Sequence, residues 1–249
     1  MKFVLGRTLT ILSWNNPVIA YFRKKQENCA IALAGHRAAI LFNLKLEDCF
    51  MFWDNVAGIY DIFANIINKK THDGLRVKVV SEILKADNVL ECACGTGLLS
   101  GVIAEKCNSL VATDFSKKML KKANKKYRAY SNIEFREGNI LQIKYPDEKF
   151  DVVVAANVIH LLDEPYKALA ELDRVCRTGG KIIIPTYMNK NDKGKISGFA
   201  NTVGKAGADF KRQFTYDSYM KFFKEAGYKK VKYSLVEGKI PCAIAVITK

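Results

Sequence analysis

The sequence predicts an α/β fold built on a doubly wound parallel sheet, on three observations. Five short apolar runs, Val89–Cys92, Leu110–Thr113, Ile133–Phe135, Val152–Ala156 and Lys181–Ile184, recur with helical stretches interleaved among them. Those runs are nearly continuous in Val, Ile and Leu rather than alternating, the pattern of strands covered on both faces. The length of 249 residues holds one such domain with a full core, or at most two small ones. With 49% hydrophobic and 26% charged residues, wholesale disorder and collagen-like repetition are excluded.

The elements follow in order. Trp53, Val56, Tyr60, Phe63, Ile66 and Ile67 recur at three- and four-residue spacing, predicting an amphipathic helix, and a second helix is expected over 74–86. The first strand ends at the Gly95-Thr96-Gly97 turn, with Leu98–Lys106 helical after it. Ser116 is the expected N-cap of a helix reaching Tyr127. A helix over Pro165–Cys176 is expected to end at Gly179-Gly180, and another over Tyr216–Ala226 at Gly227. Val231–Val236 and Ala243–Thr248 are joined too closely for a parallel crossover, so they form an antiparallel hairpin. Residues 188–213 are polar and Gly-rich and are expected to cover the site. Their Phe199, Phe210 and Lys211, with Phe214, either shape an acceptor pocket or belong to a plain surface loop.

Residues 1–50 lack the strand–turn–helix rhythm, so they are expected to be an N-terminal extension, with the domain over 51–249. They carry seven basic and three acidic residues, leaving +11 of the total +15 on the remainder. That charge implies attraction to polyanions and says little about fold. The apolar stretches Thr8–Trp14 and Ala30–Leu44 fall short of the ~20 residues a membrane span needs, and no cleavage pattern follows them. Seven scattered cysteines, without a Cys-x-x-Cys pair, point to a reducing compartment rather than a disulfide framework or zinc ribbon. A soluble, cytoplasmic chain is expected.

The chemistry concentrates at the first strand–helix junction. Glycines in Glu91-Cys-Ala-Cys-Gly-Thr-Gly97 let the backbone approach a ligand, and the following helix offers free N–H groups. Asp114 ends the second strand, 17 residues past Gly97, where an acid can accept both hydroxyls of a ribose. Glycine turn and ribose acid on adjacent strands make a nucleoside site.

From about residue 52 onward the chain resembles the class I S-adenosylmethionine-dependent methyltransferases, in particular their ubiquinone-biosynthesis-like small-molecule group. The carriers are the Glu91–Gly97 run, Asp114-Phe-Ser-Lys-Lys-Met-Leu120, Gly138-Asn139-Ile140, Phe150–His160, Arg174–Ile182 and the terminal helix with its hairpin. The resemblance implies a Rossmann-like, seven-stranded, mostly parallel sheet with an antiparallel C-terminal strand, and S-adenosylmethionine as methyl donor with no metal. It implies that Gly95, Thr96 and Gly97 border the donor and that Glu91 anchors the loop and the donor's amino group. Asp114 would hold the ribose, with Phe115 and Met119 against sugar and adenine. Asn139 would meet the adenine amine, Ile140 one adenine face, Asn157 the methyl donor, and Tyr60 would close over the cofactor. Two departures stand out. Ala93 replaces a customary glycine and is expected to avoid a left-handed conformation, and Asn139 replaces the more usual aspartate.

His160, just past the fourth strand, is the candidate general base; the alternative is a core histidine without a proton-transfer role. Cys92 and Cys94 lack further ligands at metal spacing. Lys117, Lys118, Lys121, Lys122, Lys125, Lys126 and Arg128 form either a solvated face, which is favoured, or a landing strip for nucleic acid or an anionic membrane. Against transfer to a small-molecule acceptor stand three alternatives: a nucleic-acid or protein methyltransferase, a non-catalytic nucleoside-binding protein, and a nicotinamide oxidoreductase. The oxidoreductase reading fails the Gly-x-Gly-x-x-Gly spacing because Gly101 falls one residue late.

Overall fold

The computed structural model of the chain describes residues 68–188 and 211–249. In chain order these hold α1 (Lys69–Val80), β1 (Asn88–Cys92), α2 (Ser100–Lys106), β2 (Ser109–Asp114), α3 (Lys117–Lys126), β3 (Ile133–Glu137) and β4 (Phe150–Ala155). A single 3-10 turn over Ile159–Leu161 precedes α4 (Pro165–Val175), β5 (Cys176–Tyr187), α5 (Tyr216–Glu225), β6 (Val231–Val236) and β7 (Cys242–Thr248). The strands form one seven-stranded sheet in the order β3-β2-β1-β4-β5-β7-β6. Strands β1 to β5 pair in parallel, and β7 runs antiparallel to both β5 and β6. The α/β, doubly wound architecture with an antiparallel C-terminal strand is therefore present as the sequence indicated.

Successive strand residues face opposite sides, and both sides are apolar. Leu90, Cys92, Val153, Ala155, Ile182 and Ile184 pack with Leu169 and Leu172 of α4 and Tyr219 and Phe223 of α5. Val89, Val152, Val154 and Ile183 pack on the other face with Leu75 and Val79 of α1 and Ile103 of α2. Strand order reverses between β1 and β4, and the crevice that opens there, at the carboxyl ends of the strands, is where such sheets bind ligands.

Three elements depart from expectation for identifiable reasons. Helix α1 occupies 69–80 rather than 74–86, because Asn68 fixes its start. Asn68 donates from Nδ2 to the Ile240 carbonyl (3.0 Å) and accepts at Oδ1 from the Ile240 amide (3.1 Å) and the Thr71 hydroxyl (2.7 Å). Strand β5 starts at Cys176, directly after α4, so Gly179-Gly180 do not end a helix. They sit in a strand whose register with β4 shifts between Phe150 and Val152, and Gly179 takes φ +76°. A Cβ at Gly180 would lie 2.7 Å from the Asp151 carbonyl oxygen, a backbone atom unable to yield. Helix α5 carries a capping box that the sequence reading missed: the Thr215 hydroxyl accepts from the Ser218 amide, and Ser218 returns a bond to the Thr215 amide.

The helix predicted around Trp53–Ile67, the expected extension over 1–50, Tyr60, and residues 189–210 with Phe199 and Phe210 lie outside the described residues. Lys211 pairs with Asp163 at 3.1 Å, and Phe214 is buried against Tyr219 and Phe222. Among the described residues no helix is long and apolar enough to cross a membrane.

Candidate functional site

The site is built around the turn after β1. Cys94 donates its amide to the Thr113 carbonyl (3.0 Å), carrying the chain across β2, and Gly97 donates to the Cys94 carbonyl (2.9 Å), closing the bend. Gly95 and Gly97 take φ of +56° and +81°, a region that costs residues with a Cβ roughly 1–2 kcal/mol. Asp114 does more than end β2. Its Oδ2 accepts from the Gly95 amide and its Oδ1 from the Ser116 amide, each at 2.8 Å. The carboxylate thus ties the glycine turn to the start of α3.

Ala93 overturns one expectation: its φ is +53°, in the left-handed region it was expected to avoid. The bonds that hold Cys94 to β2 and Gly97 to Cys94 over-determine the local backbone. Replacing Ala93 by Gly relieves about 1–2 kcal/mol of native strain against roughly 0.4–1 kcal/mol of added unfolded-state freedom. Ala93→Gly is therefore expected to leave stability level or raise it by up to about 1.6 kcal/mol in urea unfolding. A loss of more than that amount would show that the methyl group makes packing contacts that outweigh the strain.

A cavity of about 80 Å³ opens at the ends of β1 and β4. Of the residues singled out in the sequence, Glu91, Ala93, Gly95, Asp114, Phe115, Met119 and Asn157 line it together. Asn139 instead lines a neighbouring cavity of about 600 Å³, which shares Phe115 and also touches Arg136, Lys144 and Tyr145. The Asn139 Oδ1 accepts from the Leu141 amide at 2.9 Å. Thr96, Gly97, Ile140 and His160 line neither of these two cavities. Ile140 packs against the apolar cluster under α4 and α5, and Gly97 faces the Tyr127 ring.

The sequence reading missed Leu98, Leu99, Ala156, Val158 and Leu161, the apolar part of the cavity wall. Leu98 and Leu99 directly follow the glycine turn, and Ala156 and Val158 flank Asn157, so adjacency to the motifs was the available signal. It also missed Ser100, whose hydroxyl donates to Glu91 Oε2 at 2.6 Å. No spacing rule points to that bond.

Electrostatics separate the candidates. Burial, with a smaller contribution from the Asp114 charge, pushes the Glu91 carboxyl up to about 8, although the Ser100 hydrogen bond pulls it back. Burial pushes His160 down to about 4, so near neutral pH its ring is uncharged. The Cys92 thiol is pushed up to about 12 and Cys94 well above its usual range, again by burial, so both stay protonated. Asn157 holds φ +54°, a conformation asparagine tolerates, with its amide donating to the Pro185 carbonyl at 2.8 Å. Its buried Oδ1 has no hydrogen-bond partner among the described residues. Such an atom is a candidate acceptor for a ligand or a water.

Fold and cavity define a doubly wound α/β protein with a pocket at its topological switch point. A family described as a methyltransferase domain matches residues 90–184. A phosphatidylethanolamine N-methyltransferase of Cereibacter sphaeroides is 32% identical over 48% of this chain and 63% of that protein. A ubiquinone/menaquinone biosynthesis C-methyltransferase of Bdellovibrio bacteriovorus is 33% identical over 56% of this chain and 61% of its own length. The chain thus spans about three fifths of these curated relatives. A crystal structure of a SAM-dependent methyltransferase from Aquifex aeolicus superposes with a TM-score of 0.58 at 20% identity, covering 79% of this chain and 98% of that one, a likeness of fold. Over residues 90–184 the chain is thus similar to methyltransferases, and it shares the fold of the solved one.

Proposed function

We propose that the protein transfers the methyl group of S-adenosylmethionine to a small hydroxylated aromatic acceptor of the quinol type. The observation that carries this reading is the shared cavity: Asp114 at the end of β2, Glu91 at the end of β1 and the Gly95 turn meet on one wall. The residues suit the donor. Asp114 is a carboxylate acceptor for ribose hydroxyls, Glu91 is an acid for an ammonium group, and Asn157 supplies a buried acceptor atom beside the reacting end. Phe115 joins the two cavities, so the sugar fits against it in the first and adenine reaches Asn139 in the second.

The bound sulfonium supplies an activated methyl group, so the chain's work is alignment and exclusion of water. Leu98, Leu99, Val158 and Leu161 provide an apolar wall around the reacting end. Tyr60 and residues 188–213 are proposed to complete the enclosure, and 51–249 to form the catalytic unit. His160, uncharged near neutral pH, is a weak proton acceptor there. Accordingly, His160→Asn is expected to retain turnover within about threefold, without removing an ionisation between pH 6 and 8. A hundredfold loss, together with a lost acid limb in that window, would restore the base role. The same burial opposes folding in acid: with a native value of about 4 below the unfolded 6.5, stability falls as pH drops from 6.5 towards 4.

The supporting relatives are named for transfer to quinone precursors and to phosphatidylethanolamine. Incubating the chain with methyl-labelled donor and, separately, a demethylated naphthoquinol, phosphatidylethanolamine vesicles and bulk RNA tests the assignment. Label on the naphthoquinol is expected. Label on RNA alone would favour the nucleic-acid alternative, for which the exposed Lys117, Lys121, Lys125 and Lys126 of α3 are the one structural argument.

A further inference from the structure

Glu91 is 2% exposed, yet it lies on the wall of the donor cavity. Its hydrogen-bond partner is the Ser100 hydroxyl of α2, and among the described residues no cation acts on it. The second carboxylate on that wall, Asp114, belongs to the neighbouring strand β2. The other titratable neighbours are the Cys92 and Cys94 thiols, on its own strand and in the turn beyond. Strand β4 presents the uncharged Val154 opposite Glu91 in register. Helix α1 reaches the rim through Arg76, which donates to the Leu98 carbonyl and pairs with Asp73. A carboxyl group as buried as Glu91, with a second carboxylate on the same cavity wall, does not ionise cheaply.

We propose that Glu91 meets the donor as a neutral acid and surrenders its proton to water when the ligand's ammonium group arrives, so that the site exchanges a proton for the ligand's cation and selects nucleosides that carry one. This rests on the donor reading above and goes beyond it. The exchange balances: a carboxylic acid and an ammonium ion become a carboxylate–ammonium pair, and one proton leaves for solvent. The elevated carboxyl, held up to about 8 by burial with help from Asp114, makes the acid form dominant at pH 7 before binding. An ammonium within hydrogen-bond reach favours the ionised form by the same Coulomb logic that Asp114 opposes. A dinucleotide, which brings a pyrophosphate towards two carboxyl groups, is rejected on charge.

Calorimetry on the full chain measures the exchange. Titrations at pH 6.5 in two buffers of different ionisation enthalpy report the protons released per ligand bound. About one proton is expected for S-adenosylmethionine and S-adenosylhomocysteine, and none for methylthioadenosine, which keeps the nucleoside and thioether but lacks the amino acid. Between pH 6 and 7.5 affinity for S-adenosylhomocysteine is expected to rise by close to tenfold per pH unit. Glu91→Gln, which keeps an oxygen for the Ser100 hydroxyl, is expected to remove both the release and the slope. Tight S-adenosylhomocysteine binding without proton release, or equal release by methylthioadenosine, overturns the proposal while leaving the donor assignment standing. Failure of both donor-type ligands to bind anywhere from pH 6 to 9 would remove the donor assignment and this proposal with it. The wild-type titrations decide the matter even if the variant folds poorly.

Discussion

Asp114→Ala is expected to weaken S-adenosylmethionine binding by roughly a hundredfold to ten-thousandfold. Two ribose hydroxyls donating to a charged acceptor contribute about 1.5–3 kcal/mol each, and about 1.36 kcal/mol corresponds to a factor of ten. Further loss comes from the turn, because the same carboxylate accepts from the Gly95 and Ser116 amides. Asp114→Asn separates the two roles. Its single side-chain oxygen can keep one amide bond and one hydroxyl bond, so an intermediate loss is expected. Calorimetric affinity unchanged in Asp114→Ala would mean that the ribose is held elsewhere.

Gly97→Ala is expected to cost about 2–5 kcal/mol of stability. Its φ of +81° charges an alanine roughly 1–2 kcal/mol, and overpacking adds roughly 1–3 kcal/mol, because the new Cβ would sit 2.6 Å from Tyr127 Cε2. Tyr127 cannot easily withdraw: its hydroxyl donates to the Gly97 carbonyl at 2.7 Å, and its ring lies between Gly97 and Gly101, where a Cβ on Gly101 would also meet it. Denaturant unfolding of Gly97→Ala alone and combined with Tyr127→Ala distinguishes the two contributions. The double variant is expected to recover the overpacking share but not the backbone share. If both variants respond additively, the ring does not press on the turn.

Gly101 shows what spacing alone conveys. In the sequence it counted against a Gly-x-Gly-x-x-Gly phosphate motif, and the structure supplies its own reason for a glycine there, the Tyr127 ring. The parallel core was legible because Val, Ile and Leu runs mark strands buried on both faces, and the short Glu237–Pro241 connection required a hairpin. Boundaries set by distant partners were not legible. Helix α1 starts where Asn68 grips Ile240, 172 residues away. Likewise β5 extends back to Cys176 because a bulge absorbs Gly179. For the site, motif positions at the ends of β1, β2 and β4 converge on one cavity, since strand ends of a parallel sheet must. Ala93 and Glu91 were named, but not their states. A left-handed alanine needs the surrounding hydrogen bonds to impose it, and an elevated carboxyl needs knowledge of what lies buried beside it.

The most direct measurement is a crystal structure of the chain grown with S-adenosylhomocysteine. The ribose hydroxyls are expected on the Asp114 carboxylate, the amino group beside Glu91, and the sugar against Phe115. Electron density for the ligand away from Asp114, or a first cavity left without ligand at saturating concentration, would contradict that placement.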